Sequence, residues 1–342
     1  MTPKISGPKL SILIAHYNHN EFLPALLDNI SEQNFKNDIE VVIIDDCSDV
    51  SPEPIVRRDS YDDLNIVFKC NEERLYTKDT RLKAVEVATS DLVTFADADD
   101  HFLEATRLNR LVNAMIHYDV DILHFCTLEK MHNTNRRPVA TGWNEPFGKF
   151  LNGSEIFRLY VENSCRAHTV WGKIFKKSLW IKCMDFAKCS KVRRYQEDLF
   201  LISLLFSHAQ SYMGSPAIGY VQNVDATRGN IAVTRAPGNM ATCYHMLNEL
   251  PEYFIANGID MDIVEKFKSI VLSLMISNYT MLFDSIAQRN NSHRNDYDAM
   301  IHEILETMSE HTDTETLQKI LLMCLFTEFK YIARPKTLGG GK

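Results

Sequence analysis

The stretch LSILIAHYNHNEFLPALLDNISEQNFKNDIEVVIIDD, residues 10–46, decides the fold. Leu10 to Ala15 is an unbroken apolar run of strand length. The polar turn HYNHN follows. Apolar residues then recur at helical spacing through EFLPALLDNISEQ, with Asn20 placed as N-cap and Pro24 still near the first turn. Ile39 to Asp45 is a second apolar run, closed by two adjacent carboxylates. Strands that are apolar on both faces are buried on both faces, which requires a largely parallel sheet covered by helices.

The same alternation continues outward. NIVFKC (65–70) reads as a third strand, DLVTFAD (91–97) as a fourth and DILHFCTL (121–128) as a fifth. Helical patterns, TKDTRLKAVEVA and LEATRLNRLVNAMIHY, separate the last three. The reading is an α/β fold, and such sheets bind ligands at the carboxyl ends of their strands. Residues 131–153 carry Pro138, Gly142, Pro146, Gly148 and Gly153 and read as a surface loop or crossover. After Pro237 the pattern is almost wholly helical, which predicts an α-helical region over 236–342 behind a domain over 1–235.

With 342 residues, 45% hydrophobic and 24% charged, the chain has the composition of a globular protein large enough for two domains. Its formal charge of −8 speaks against nucleic acid as a partner. Residues 165–194 nonetheless hold nine Lys or Arg against one acid, Asp185, either a solvated face or a rim that attracts an anionic substrate. The eight cysteines form no C-x-x-C pair and fit a reducing compartment. No apolar stretch reaches membrane-spanning length, and no leader is visible, so the expected location is cytoplasmic.

Three acidic clusters carry the chemistry: Asp45-Asp46, Asp97-Ala98-Asp99-Asp100, and Glu197-Asp198 before the apolar run LFLISLLF. Adjacent carboxylates at a strand end repel one another unless a cation or hydrogen-bond donors compensate. A D-x-D there sends alternate side chains to one side, which suits a divalent cation shared with substrate phosphates. The plainer alternatives are an Asx turn at Asp46 and a helix cap at Asp100.

The ordered set, SILIAHYNHNEFLPALLDNISEQNF, IEVVIIDDCSD, LVTFADADD, WGKIFKKSLW and YQEDLF, resembles the inverting glycosyltransferases of family 2, of bacterial surface-polysaccharide type. The resemblance implies a GT-A fold over 1–235, with a nucleotide-sugar half (1–130) and an acceptor half (131–235). It places Ala15, Tyr17, Asp45 and Asp46 against the nucleotide, with Tyr17 stacked on a pyrimidine and Asp45 accepting from its ring N–H. Asp99 would bind Mn²⁺ or Mg²⁺ directly, with Asp97 on the ribose or the metal's water shell. Asp198 matches the base, and Glu197, Trp171 and Lys173 the acceptor side. Arg81 and, more loosely, Arg228 in YVQNVDATRGNIAVT match donor contacts. The implied partners are a nucleotide-sugar donor, UDP-linked, and a glycan or lipid-linked acceptor. That setting is compatible with peripheral membrane association and with self-assembly through the C-terminal helices.

The chain also departs from the family. Cys47 stands at a position usually Gly, Leu82 for Asn, Ala84 for Gly, and His101 for an aromatic. The segment 71–84 is therefore where donor identity is least legible. Two other readings stay open: a sugar nucleotidyltransferase, against which the glycine-free turn HYNHNEF speaks, and a non-catalytic scaffold that keeps the fold.

Overall fold

Strand β1 (Leu10–His16) is almost completely buried and β2 (Ile39–Asp45) is buried at every position, as an apolar run covered on both sides must be. Between them α1 (Leu23–Ser31) turns Leu23, Leu26, Leu27 and Ile30 inward. The computed structural model describes residues 7–131, 137–148, 150–224, 228–289, 315 and 318–323. Phe22 precedes α1 where Asn20 was expected as the cap; the Asn20 side chain instead donates to the Val50 carbonyl at 2.9 Å.

A short helix α2 (Glu53–Val56) leads to β3 (Asn65–Cys70), then α3 (Tyr76–Val87) and β4 (Leu92–Phe95). These four strands lie parallel in the order β3-β2-β1-β4. Strand β5 (His101–Phe102), α4 (Arg107–Tyr118) and β6 (Ile122–Met131) follow, then β7 (Val139–Ala140), β8 (Phe150–Asn152) and α5 (Ser154–Glu162). Next come β9 (Lys173–Lys176), α6 (Lys177–Cys189), α7 (Glu197–His208) and β10 (Ser211–Val224). The sheet continues past β4 as β9-β6-β10-β5. Along this order most of its pairings are parallel, including that of β6 with β10, but β9 runs antiparallel to both β4 and β6, and β10 is antiparallel to β5. Residues 220–224, the start of YVQNVDATRGNIAVT, are the end of β10 paired with β6.

The basic stretch does not form one rim. Lys173 is buried, Lys176 pairs with Asp119 and Asp121, Lys177 donates to the Ala88 carbonyl, and Lys188 pairs with Glu86.

By internal contacts the chain divides into two units, Met1–Ala226 with Tyr253–Phe267, and Thr227–Glu252 with Lys268–Lys342. In the first, Phe254 and Phe267 pack on Phe157 of α5, with ring centroids 4.7 and 6.2 Å away. The second holds most of two long helices, α8 (Arg228–Ala256) and α9 (Met261–Arg289), and Asn239 donates to Asn278 at 2.9 Å within it. The boundary expected near 235 falls inside α8, which contains Pro237. Among the described residues, no helix is long and apolar enough to cross a membrane.

One charge sits in the middle of this apolar frame. Glu40 of β2 is 2% exposed and accepts from the Ser11 hydroxyl (2.5 Å), the Thr89 N–H (2.8 Å) and the Thr89 hydroxyl (2.7 Å). It ties the connection between α3 and β4 to the sheet. Removing it strands buried donors, so Glu40→Ala is expected to lower stability by about 2 kcal/mol. Urea denaturation measures this; a loss below about 0.5 kcal/mol would mean that water replaces the carboxylate.

Candidate active site

The carboxyl ends of β1, β2 and β4 meet the N-terminal ends of α3 and α7, and the predicted acids gather there. At the floor is Arg81, 6% exposed, on the first half of α3. Its guanidinium pairs with Asp97 at 3.2 Å, Glu197 at 3.2 Å, and Asp198. Burial works against that charge, but Asp198, Asp97 and Glu197 outweigh it and raise the guanidinium's pKa. One cation thus joins the D-x-D strand end to the Glu-Asp helix start.

Asp198 and Glu197 begin α7, where the helix dipole favours negative charge. Burial raises the Asp198 pKa; Arg81, the nearby His168 and the Val170 N–H pull it back, while Asp97 pushes it up. Glu197 rises to about 7, first through burial and then through the Asp198 charge beside it.

The two turn acids differ. Asp45 lies against the His16 ring (Nδ1 at 2.9 Å) and accepts from the Ser48 hydroxyl (2.6 Å) and N–H (3.1 Å). Asp46 accepts from the Asn71 amide (2.8 Å) and the N–H groups of Leu75 (2.7 Å) and Tyr76 (2.8 Å). Asp46 thus has its oxygens committed to the 71–76 loop, and the loop's shape rather than a ligand explains it. Cys47 between them adopts φ +60°, so the turn keeps a left-handed residue without glycine, with the thiol donating to the Asn71 carbonyl.

On β4's far side, Asp97 and Asp99 are half-buried and Asp100 is buried. Asp100 caps no helix: it accepts from the Tyr220 hydroxyl (2.9 Å) and the Asn223 N–H (2.8 Å). Burial, then the charges of Asp97 and Asp99, raise its pKa well above the carboxylate range. Among the described residues no three His, Cys, Asp or Glu side chains converge as a cage. Hard carboxylate oxygens whose mutual repulsion already favours added positive charge do fit a divalent cation, with Asp97 and Asp99 as its holders.

Two acceptor-side expectations are corrected. Trp171 is 2% exposed and stacks on Tyr220 at 5.5 Å, so it belongs to the core. Lys173 is fully buried, donating to the Thr169 carbonyl (2.7 Å) and the Asn144 side chain (3.1 Å); burial lowers its pKa well below that of a free amine. His168, near Asp198, is half-buried and stacks on Trp143 at 5.7 Å. Ala15 and Tyr17 end β1 half-buried, as expected for strand-end positions. Arg228 opens α8, and its side chain lies outside the described residues.

The segment from β1 through β9, residues 11–178, matches the family model "Glycosyl transferase family 2". It is a family 2 glycosyltransferase domain. The amylovoran biosynthesis glycosyltransferase AmsB of Erwinia amylovora is 34% identical over 94 residues, 27% of this chain and 31% of that protein. The poly(ribitol-phosphate) beta-N-acetylglucosaminyltransferase TarS of Staphylococcus aureus is 29% identical over 156 residues, 44% of this chain and 26% of TarS. The matches thus span less than half the length of these relatives. The fold is that of GT-A glycosyltransferases: the S. aureus TarS 1-349 structure in complex with UDP superposes with a TM-score of 0.55, at 16% identity, over 94% of this chain and 91% of that one. The mannosyltransferase PcManGT from Pyrobaculum calidifontis, in complex with GDP-Man and Mn²⁺, gives 0.53 at 15% identity, over 95% and 89%.

Sequence reasoning on the glycosyltransferase domain missed His16, Asn71, Arg74, His168 and Tyr220. Of these, Asn71 and Arg74 had a signal, lying in the atypical 71–84 segment.

The raised Glu197 pKa has a consequence for stability. In the unfolded chain Glu197 titrates near its ordinary 4.5; in the folded chain near 7. The native state therefore binds more protons between those values, and stability falls as pH rises through that window. Glu197→Gln, which cannot ionise, is expected to match the wild type at pH about 5 and to exceed it by about 2 kcal/mol at pH about 8. Urea denaturation at the two pH values tests this, and equal differences at both would refute it.

Proposed function

We propose that the protein moves a sugar from a nucleoside diphosphate, UDP foremost, to a hydroxyl of a glycan or lipid-linked acceptor, with inversion, in surface-polysaccharide synthesis. The family 2 domain supplies the reaction class. The single observation that carries the mechanism is Asp198, half-buried at the start of α7 and linked through Arg81 to Asp97.

In this reading Asp198 takes the proton of the acceptor hydroxyl. The hydroxyl oxygen forms a bond to the anomeric carbon, and the bond from that carbon to the diphosphate oxygen breaks, its electron pair leaving with the diphosphate. One displacement inverts the centre, so a single carboxylate base suffices. Its raised pKa strengthens Asp198 as a proton acceptor, and the Val170 N–H and Arg81 hold its carboxylate in place. Arg81 also pairs with both Asp97 and Asp198, so that donor-side and acceptor-side groups share one geometry. Tyr17, Ala15 and Asp45 take the nucleotide base, and Glu197 borders the acceptor. A divalent metal on Asp99 and Asp97, when bound, would offset charge growing on the diphosphate. The UDP complex of TarS and the GDP-Man and Mn²⁺ complex of PcManGT support a nucleotide donor and a metal by fold likeness. A lipid-linked acceptor would bring the enzyme to the cytoplasmic face of a membrane as a peripheral protein. The helical region beyond 235 is read as structural, with self-assembly its testable alternative role.

Thermal shift against nucleotide sugars, with and without Mn²⁺, should show metal-dependent stabilisation by a uridine donor. Asp198→Asn should cut turnover by about a thousandfold while donor affinity by calorimetry stays within about twofold. Turnover retained in that variant would remove Asp198 as the base, and absence of turnover with every donor and acceptor would favour the scaffold reading.

A further inference from the structure

Tyr17, the residue read as the nucleobase platform, already carries a partner. The Arg74 guanidinium carbon lies 3.8 Å from the Tyr17 ring centroid, and 5.1 Å from that of Tyr76. Arg74 is exposed, and among the described residues it makes no ion pair with a carboxylate, although Glu72 and Glu73 precede it. In contrast, Arg81 on the floor is held by three acids.

The backbone beside Arg74 is fixed. Asp46 accepts from the Leu75 and Tyr76 N–H groups at 2.7 and 2.8 Å, and Tyr76 is locked at φ +65°. On its other side Arg194 lies 5.0 Å from the Tyr76 ring. With the loop pinned, motion of Arg74 is confined to rotation of its own long side chain.

We propose that Arg74 and the nucleobase exchange places on Tyr17: the base displaces the guanidinium from the ring, and the freed guanidinium binds the donor's diphosphate. This rests on the reading of Tyr17 as the base platform. An exposed guanidinium stacked on a half-buried ring is a weak contact, which a flat heterocycle can replace. The released cation then has an anion of matching fork geometry within the same ligand. A nucleoside diphosphate satisfies both steps, while a nucleoside alone satisfies only the first. Arg74 therefore opposes nucleosides and favours nucleoside diphosphates, which makes it a specificity-determining residue in the segment that departs from the family.

The test is calorimetric titration of uridine and of UDP into the full chain, in Mn²⁺-containing buffer, for wild type, Arg74→Met and Tyr17→Ala. Arg74→Met should bind uridine about two- to fivefold tighter, because the competitor is gone. The same variant should bind UDP about fivefold weaker, because a charged phosphate contact is lost. Opposite signs in one variant are not produced by general damage, which weakens both ligands, nor by an uninvolved surface residue, which changes neither. Either of those patterns overturns the exchange. Tyr17→Ala should lose uridine binding; if it binds uridine as well as wild type, the platform reading falls and the exchange with it. A wild type that binds no UDP overturns the donor assignment as well, whereas tight UDP binding with unchanged Arg74→Met values overturns the exchange alone.

Discussion

The ion cluster around Arg81 is the interaction on which the site depends. Three carboxylates, from the end of β4 and the start of α7, converge on a guanidinium that is 6% exposed. Two unit charges 4 Å apart near a protein surface interact by about 4 kcal/mol, so without the cation the three acids could not remain ionised together. Glu197 shows the limit of that compensation: burial first, then the Asp198 charge, leave it with a pKa of about 7 despite the guanidinium. The cluster also explains why α3 and α7 must pack at the same strand ends. Lys78 ties α3 to the segment preceding α7 instead: its ammonium donates to the Ala187 carbonyl of α6 at 2.7 Å, and its backbone N–H to the Arg193 carbonyl at 3.0 Å.

Legibility in the sequence followed from locality. LSILIA and IEVVIID were readable as strands because continuous apolar runs have no other stable place than a covered sheet. NIVFKC, half-exposed at the sheet edge, was readable from its β-branched and aromatic residues. The D-x-D and Glu-Asp pairs were readable because acids at the ends of apolar runs are costly and thus conspicuous. Strand β10 was not readable. Pro216, Gly214 and Gly219 look like breakers, yet the strand passes them through irregularities in register at Ser215–Ile218 and Ile218–Tyr220. Gly219 is there because a side chain would meet the Phe125 ring at 2.6 Å. Antiparallel β9 was hidden in a run of basic residues, although KIFK is buried at its first three positions.

The site was half legible for the same reason. Residue types at strand ends and at the start of α7 singled out Asp45, Asp97, Asp99 and Asp198 as candidates, and the family resemblance added Tyr17. Pairings across long separations could not be seen: Arg81 to Asp198 spans 117 residues and Tyr220 to Asp100 spans 120. Burial misled in the opposite direction. Trp171 and Lys173 resembled cleft residues by position, but an indole and an alkyl amine can also be taken wholly into a core when their polar atoms find partners. Lys173 finds Thr169 and Asn144.

What remains is why the backbone around the site is so often left-handed. Asn18, Cys47, Tyr76, Ala167, Tyr195 and Gln196 all have positive φ without being glycine. Each costs about 1–2 kcal/mol and persists only where the surroundings hold it. The surroundings here are polar and specific. Asn18 and Asp49 exchange hydrogen bonds at 2.9 and 2.8 Å, joining the β1 and β2 turns. Asp46 holds Tyr76, and the Trp143 carbonyl accepts from the Ala167 N–H at 2.7 Å. Strain spread over three turns is held by these side-chain and backbone acceptors. In such a frame the adaptable parts are long side chains at the surface, and Arg74 is one that lies on Tyr17, the ring proposed to take the nucleobase.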